Sequence, residues 1–168
     1  MELPATGTTA SLVDRYLKIR AQSLNLISSL SEADAQIQSM PDASPAKWHL
    51  AHTTWFVETF ILCAHLKGYS RFSEAYNYLY NSYYNGIGEQ YPRTQRGLIS
   101  RPSLSDIMLY RTFVDDSIEL LFDSLDECND ASITELSSLL VLGLNHEQQH
   151  QELLLTDIKH AFFLNPLY

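Results

Sequence analysis

Cysteine is nearly missing from this chain: Cys63 and Cys128 are the two in 168 residues. A pair so widely spaced builds neither a disulfide framework nor a cysteine zinc site, and this usage fits a reducing cytoplasm. Positive charge is scarce as well, with 11 Lys and Arg against 20 Asp and Glu and a net charge of −9. Binding a phosphate backbone needs clustered Lys and Arg, so nucleic acid is not expected as a partner. No apolar run approaches the ~20 residues that span a bilayer. The opening MELPATGTTASLVDRYLK carries an early glutamate where a secretory signal would be basic and then apolar. No membrane partner is expected either. What the chain does have is 45% hydrophobic and 18% charged residues. That is the balance of a globular domain large enough to bury a core without staples, and one domain over residues 1–168 is expected.

The apolar pattern is helical nearly throughout. Between Ser11 and Leu30, the residues Leu12, Tyr16, Ile19, Leu24, Ile27 and Leu30 fall near one stripe. The polar SEADAQIQSMPDASP follows as a connection. Ser44 then Pro45 predicts a helix start, with the serine capping free N–H groups, and the second helix runs to about Leu66 before Gly68. From Tyr69 to Arg101 no period persists, and this stretch reads as a long ordered crossover holding one short helix. SLSD at Ser103–Asp106 predicts a capping box that opens a third helix to about Leu125. SITE at Ser132–Glu135 predicts the opening of a fourth, to about Phe163, in which Gly143 could permit close packing. Four long helices with one long connection between the second and third make an all-α four-helix bundle.

Within the fourth helix, LNHEQQHQELL sets a polar band in an apolar frame. His146 and His150, at i and i+4, leave the same helical face and form half of a metal site, or else a pair of hydrogen-bonded histidines. In KWHLAHTTWFVE of the second helix, His49 and His52 stand at i and i+3. One of these is expected to point inward and complete a three-histidine facial site with open positions, and the other to sit at the boundary. Glu147 lies about 100° round the helix from His146, off the ligand line. Gln149 could reach a bound water or a substrate. His65 and His160 read as surface or capping residues.

Three separated blocks carry a resemblance: SPAKWHLAHTTWFVETF, YLYNSYYNGIGEQYPRTQRGLISRPS and NHEQQHQELLLTDIKHAFFLNPL. Together they resemble the N-terminal DinB-like domain of ergothioneine sulfoxide synthases. The resemblance implies a DinB-like bundle in which His52, His146 and His150 bind a non-haem iron(II), a site that zinc or nickel can also fill in recombinant protein. It implies dioxygen-dependent C–S bond formation between a thiol, cysteine or γ-glutamylcysteine, and trimethylated histidine, giving a sulfoxide. It further implies that Arg93 and Arg96 hold the thiol substrate's carboxylates and that Gln149 positions the trimethylated histidine. Guanidinium suits the first task because it meets a carboxylate bidentately. Aromatic residues from Tyr76 to Tyr91 pack the crossover and could receive a quaternary ammonium.

Family members carry a second, formylglycine-generating-enzyme-like domain that supplies a catalytic tyrosine. These 168 residues correspond to the metal-holding domain alone, which implies metal binding with little sulfoxide formation unless that domain is supplied. Two other readings stand beside this one: a metal-dependent DinB-like thiol transferase or isomerase, and a non-catalytic interaction domain.

Overall fold

The computed structural model describes residues 9–82, 86, 88–125 and 130–167. In chain order these form α1 (Thr9–Ile27), α2 (Glu32–Gln36) and α3 (Ala46–Val57), the last continuing through a π turn (Glu58–Leu62) into α4 (Cys63–His65). After it come α5 (Ala75–Tyr80), a 3₁₀ turn (Arg93–Leu98), α6 (Leu104–Asp123) and α7 (Asp130–Phe163). No strand occurs among the described residues, and none of their helices is long and apolar enough to cross a membrane.

The period predicted from sequence is the one that packs. In α6 the buried Ile107, Tyr110, Val114, Ile118 and Leu121 recur every three or four residues, and in α7 Leu136, Leu140 and Leu144 do the same. α1 packs on α6 and α7, and α3 packs on the same two, which closes the four long helices into a bundle. Every residue of α3 is buried, because α2 and α5 also lie against it. A helix covered on all sides must satisfy its polar groups internally. Lys47 accordingly donates to the carbonyls of Ser100 (3.3 Å) and Pro102 (2.8 Å). At the π turn, the fully buried Glu58 accepts from the hydroxyls of Tyr69 (2.9 Å) and Tyr110 (2.6 Å) and from the Phe72 N–H (2.8 Å).

Ser103 caps α6 as predicted, in a reciprocal box with Asp106. Three local expectations change. Ser44 does not cap α3: its hydroxyl accepts from Arg96 at 2.9 Å instead, and Pro45 takes the cap position without a side-chain bond. The polar connection holds a helix of its own, α2, with a capping box between Ser31 and Asp34. α7 is already under way at Asp130, so Ser132 lies inside it and does not open it.

The crossover carries two short helical turns where one was expected. It is tied to the bundle by indole donors: Trp48 Nε1 to the Leu79 carbonyl at 3.2 Å and Trp55 Nε1 to Asn77 Oδ1 at 2.9 Å. Tyr76 and Tyr80 are buried, and Tyr76 packs edge-on against Tyr110 with centroids 4.9 Å apart, so these two rings serve packing. Tyr83 and Tyr84, also in the aromatic run, lie outside the described residues. Gly143 is not sterically required. A Cβ there would meet Phe56 Cε1 at 3.6 Å, an ordinary contact.

Candidate metal centre

α3 and α7 pack directly against one another, and their histidines meet across that contact. His52 Nε2 lies 3.2 Å from His146 Nε2. One donor atom from each of His52, His146 and His150 falls within 4.8 Å of the other two. Two nitrogens about 2.1 Å from one ion, subtending roughly 100°, stand about 3.2 Å apart, so the His52–His146 spacing suits shared ligation.

Each ring is held before any ion arrives. His52 is flanked by Trp48 (centroids 4.6 Å, planes 11° apart) and Trp55 (5.6 Å, 19°), four residues before and three after it on the helix. Its Nδ1–H donates to the Tyr80 carbonyl at 2.6 Å. That bond fixes the tautomer and leaves Nε2 as the lone-pair nitrogen. His146 lies over Phe56, centroids 4.4 Å apart. Its Nδ1 is buried with no hydrogen-bond partner among the described residues, so protein groups alone leave this cluster incompletely satisfied.

The electrostatics favour ligand-ready imidazoles. Burial holds His52 well below its ordinary range, helped by the neighbouring His146. Burial pulls His146 down to about 4. His150 is lowered by burial and then by His52 and His49. All three are neutral at pH 7, the state in which imidazole binds a metal. The donor set is nitrogen only, and imidazole serves iron, zinc, nickel and copper alike. The three residues fit a divalent transition metal.

A cavity of about 380 Å³ opens over the triad. Arg93, Arg96 and Gln149 all line it, on the same side of the protein as the histidines. Arg96 is no surface residue. It is buried, donates to Ser44 Oγ and Ser82 Oγ at 2.9 Å each, and lays its guanidinium 3.4 Å over the Trp48 ring. Arg93 and Gln149 are exposed at the rim, where Arg93 donates to the Asp42 carbonyl. The outlying histidines stay outside the cluster: His65 is exposed, and His160 Nδ1 bonds Ser39 Oγ at 2.8 Å.

Two features escaped the sequence reading. One of the His49/His52 pair was expected at the boundary, yet both are buried, because α3 has no solvent face. His49 Nδ1 meets His150 Nδ1 at 2.9 Å, and its Nε2 meets Asp157 Oδ2 at 3.0 Å. The available signal was Asp157 itself, seven residues beyond His150 and so on the same helical face. The second feature lies behind the site. Glu147 is buried and accepts from Arg111 Nη2 and Arg20 Nη1 at 2.9 Å each and from Ser23 Oγ at 2.7 Å. Burial alone would raise this carboxyl, but the two guanidiniums outweigh it and hold the pKa at about 2. Placing Glu147 off the ligand line was right as far as it went. The missed point was that Arg20, Arg111 and Glu147 each interrupt a buried apolar stripe, where an unpaired charge is not tolerated.

No curated protein matches the chain. A family model described as the DinB superfamily matches residues 15–154, a span that takes in α3, the crossover, α6 and all three histidines of the triad. The chain belongs to the DinB superfamily.

Proposed function

We propose that this domain holds a divalent metal, iron(II) in the native protein, on His52, His146 and His150. We propose further that it is the iron-site half of an ergothioneine-type sulfoxide synthase. The observation that carries the first step is the convergence of three neutral imidazoles under a cavity that a small molecule can enter. Three protein ligands with open positions are the arrangement of a catalytic metal rather than a structural one. When bound, the ion would supply a redox-active Lewis acid.

The chain's own groups support the finer reading through the cavity wall. Arg96 is pre-organised by two serine hydroxyls and by Trp48, so its guanidinium loses little freedom when it meets a carboxylate. Arg93 at the rim offers a second guanidinium for the same substrate, and Gln149 an amide for a second one. A carboxylate-bearing thiol, cysteine or γ-glutamylcysteine, matches that lining, with trimethylated histidine as the acceptor of sulfur.

The test is anaerobic loading of the untagged chain with iron(II), followed by thiol, trimethylated histidine and air, with dioxygen uptake and mass spectrometry for sulfoxide as readouts. One iron per chain is expected, abolished by His52→Ala, His146→Ala or His150→Ala and retained in His65→Ala. Sulfoxide should form once the formylglycine-generating-enzyme-like domain is added. Iron binding that survives all three alanine variants refutes the ligand set. Thiol transfer without dioxygen uptake would replace the synthase reading with that of a thiol transferase.

A further inference from the structure

Of the four histidines buried or half-buried where α3 meets α7, three form the triad and His49 does not. Its position is nevertheless specified at both ring nitrogens. On one side Nε2 stands 3.0 Å from Asp157 Oδ2, and the same oxygen accepts the Ser44 backbone N–H at 2.8 Å. On the other side Nδ1 stands 2.9 Å from His150 Nδ1.

An ionised carboxylate can only accept, so His49 must carry its proton on Nε2 to bond Asp157. A neutral imidazole carries a single N–H, and in His49 the bond to Asp157 places it on Nε2, so Nδ1 is the bare nitrogen. Two nitrogens 2.9 Å apart need one proton between them, and it can come only from His150. His150 is thereby the Nδ1–H tautomer, with its lone pair on Nε2. His52 reaches the same state by a simpler route, through the Tyr80 carbonyl.

We infer that His49 and Asp157 are positioning residues: they lock His150 as its Nδ1–H tautomer and so reserve its Nε2 lone pair for the ion. The inference rests on the metal-binding reading above and extends it to two residues outside the triad. A carboxylate or carbonyl behind a ligating histidine is the common device for this purpose. Here a second imidazole is interposed, which lets Asp157 act on His150 from one helical turn further along α7 than it could reach directly.

The experiment uses the full metal-free chain labelled with ¹⁵N, in which two-bond proton–nitrogen correlations report the tautomer of each histidine. Zinc(II) affinity, measured by competition with a chromophoric chelator, is the second readout. Three variants separate the roles. His49→Leu removes the acceptor. His49→Asn returns a carbonyl oxygen to the place of Nδ1. Asp157→Ala leaves His49 in position but frees its tautomer. Wild-type His150 should be Nδ1–H. His49→Leu should give mixed tautomers and lower zinc affinity by about 10–100-fold, and Asp157→Ala should shift both in the same direction. His49→Asn should restore both.

A purely structural role for His49 would lower the melting temperature without moving the tautomer, and that result overturns the inference. So does loss of stoichiometric binding in both His49 variants, which would make His49 a ligand. A wild-type chain that binds zinc with an affinity unmoved by His49→Leu and Asp157→Ala overturns the positioning role alone. A wild-type chain that binds no ion overturns the proposed function and the inference together.

Discussion

Glu147→Gln removes one charge from the bundle without changing the volume of the side chain. In the wild-type protein the carboxylate is the common partner of Arg20 and Arg111, each 2% exposed. After substitution Arg20 keeps Asp115, at 2.7 Å, whereas Arg111 loses its only ion pair among the described residues. The amide would also present donor hydrogens to a guanidinium that has donors alone. Breaking a buried pair by removing one partner costs about 3–5 kcal/mol. A separate route gives a similar size: a carboxyl lowered from 4.5 to about 2 favours the ionised folded state by on the order of 3 kcal/mol. Domains of this kind hold about 5–15 kcal/mol in total, so the variant should remain folded but near its margin.

Urea unfolding is the assay, with the midpoint falling and the slope unchanged. The pair Glu147→Met with Arg111→Met, which removes both members, should cost less than Glu147→Gln alone. A loss below about 1 kcal/mol for Glu147→Gln, or simple additivity in the double variant, would refute the reasoning that buried Arg111 depends on its ion pair with Glu147.

Acid should destabilise the metal-free protein in two stages. An imidazole held below its unfolded value of 6.5 takes up a proton when the chain unfolds, so stability falls as pH drops from about 6.5 to about 4, the folded value of His146. The Glu147 contribution is complete above about pH 4.5 and is lost as pH falls through about 2. Chemical unfolding across this range checks both, and a midpoint that is flat from pH 7 to pH 4 would contradict the first. Gly143→Ala should raise stability by about 0.5–1 kcal/mol, because the helix interior favours alanine and the new methyl meets only ordinary contacts. A lower urea midpoint in that variant would show that Phe56 and Ile61 cannot accommodate it.

The long helices were legible because burial on one face leaves a period in the sequence, as Ile107, Tyr110, Val114, Ile118 and Leu121 show. The Ser103–Asp106 cap was legible because all its partners are local. Ser44 was not, since its hydroxyl answers to Arg96, 52 residues away, and a tertiary donor overrides a local capping preference. α2 hid in a polar stretch because five residues are too few to show a period. In the site, spacing alone paired His146 with His150. The choice between His49 and His52 turned on how two helices are rotated against each other, which no local pattern encodes. Burial of both followed from the covering of α3 on every side.

Trp48 and Trp55 are the two indoles of the whole chain, and both lie against the ring of His52. Light absorbed at the red edge of the protein spectrum therefore reports from one spot. Emission from this protein is a local gauge, since no distant tryptophan dilutes it. An open-shell ion arriving on His52 would quench both emitters at once, with no dye or tag attached. Because the Arg96 guanidinium rests on Trp48, the arrival of an anion at that arginine would register in the same channel. Occupancy of the centre and entry into the cavity above it can be followed in one cuvette.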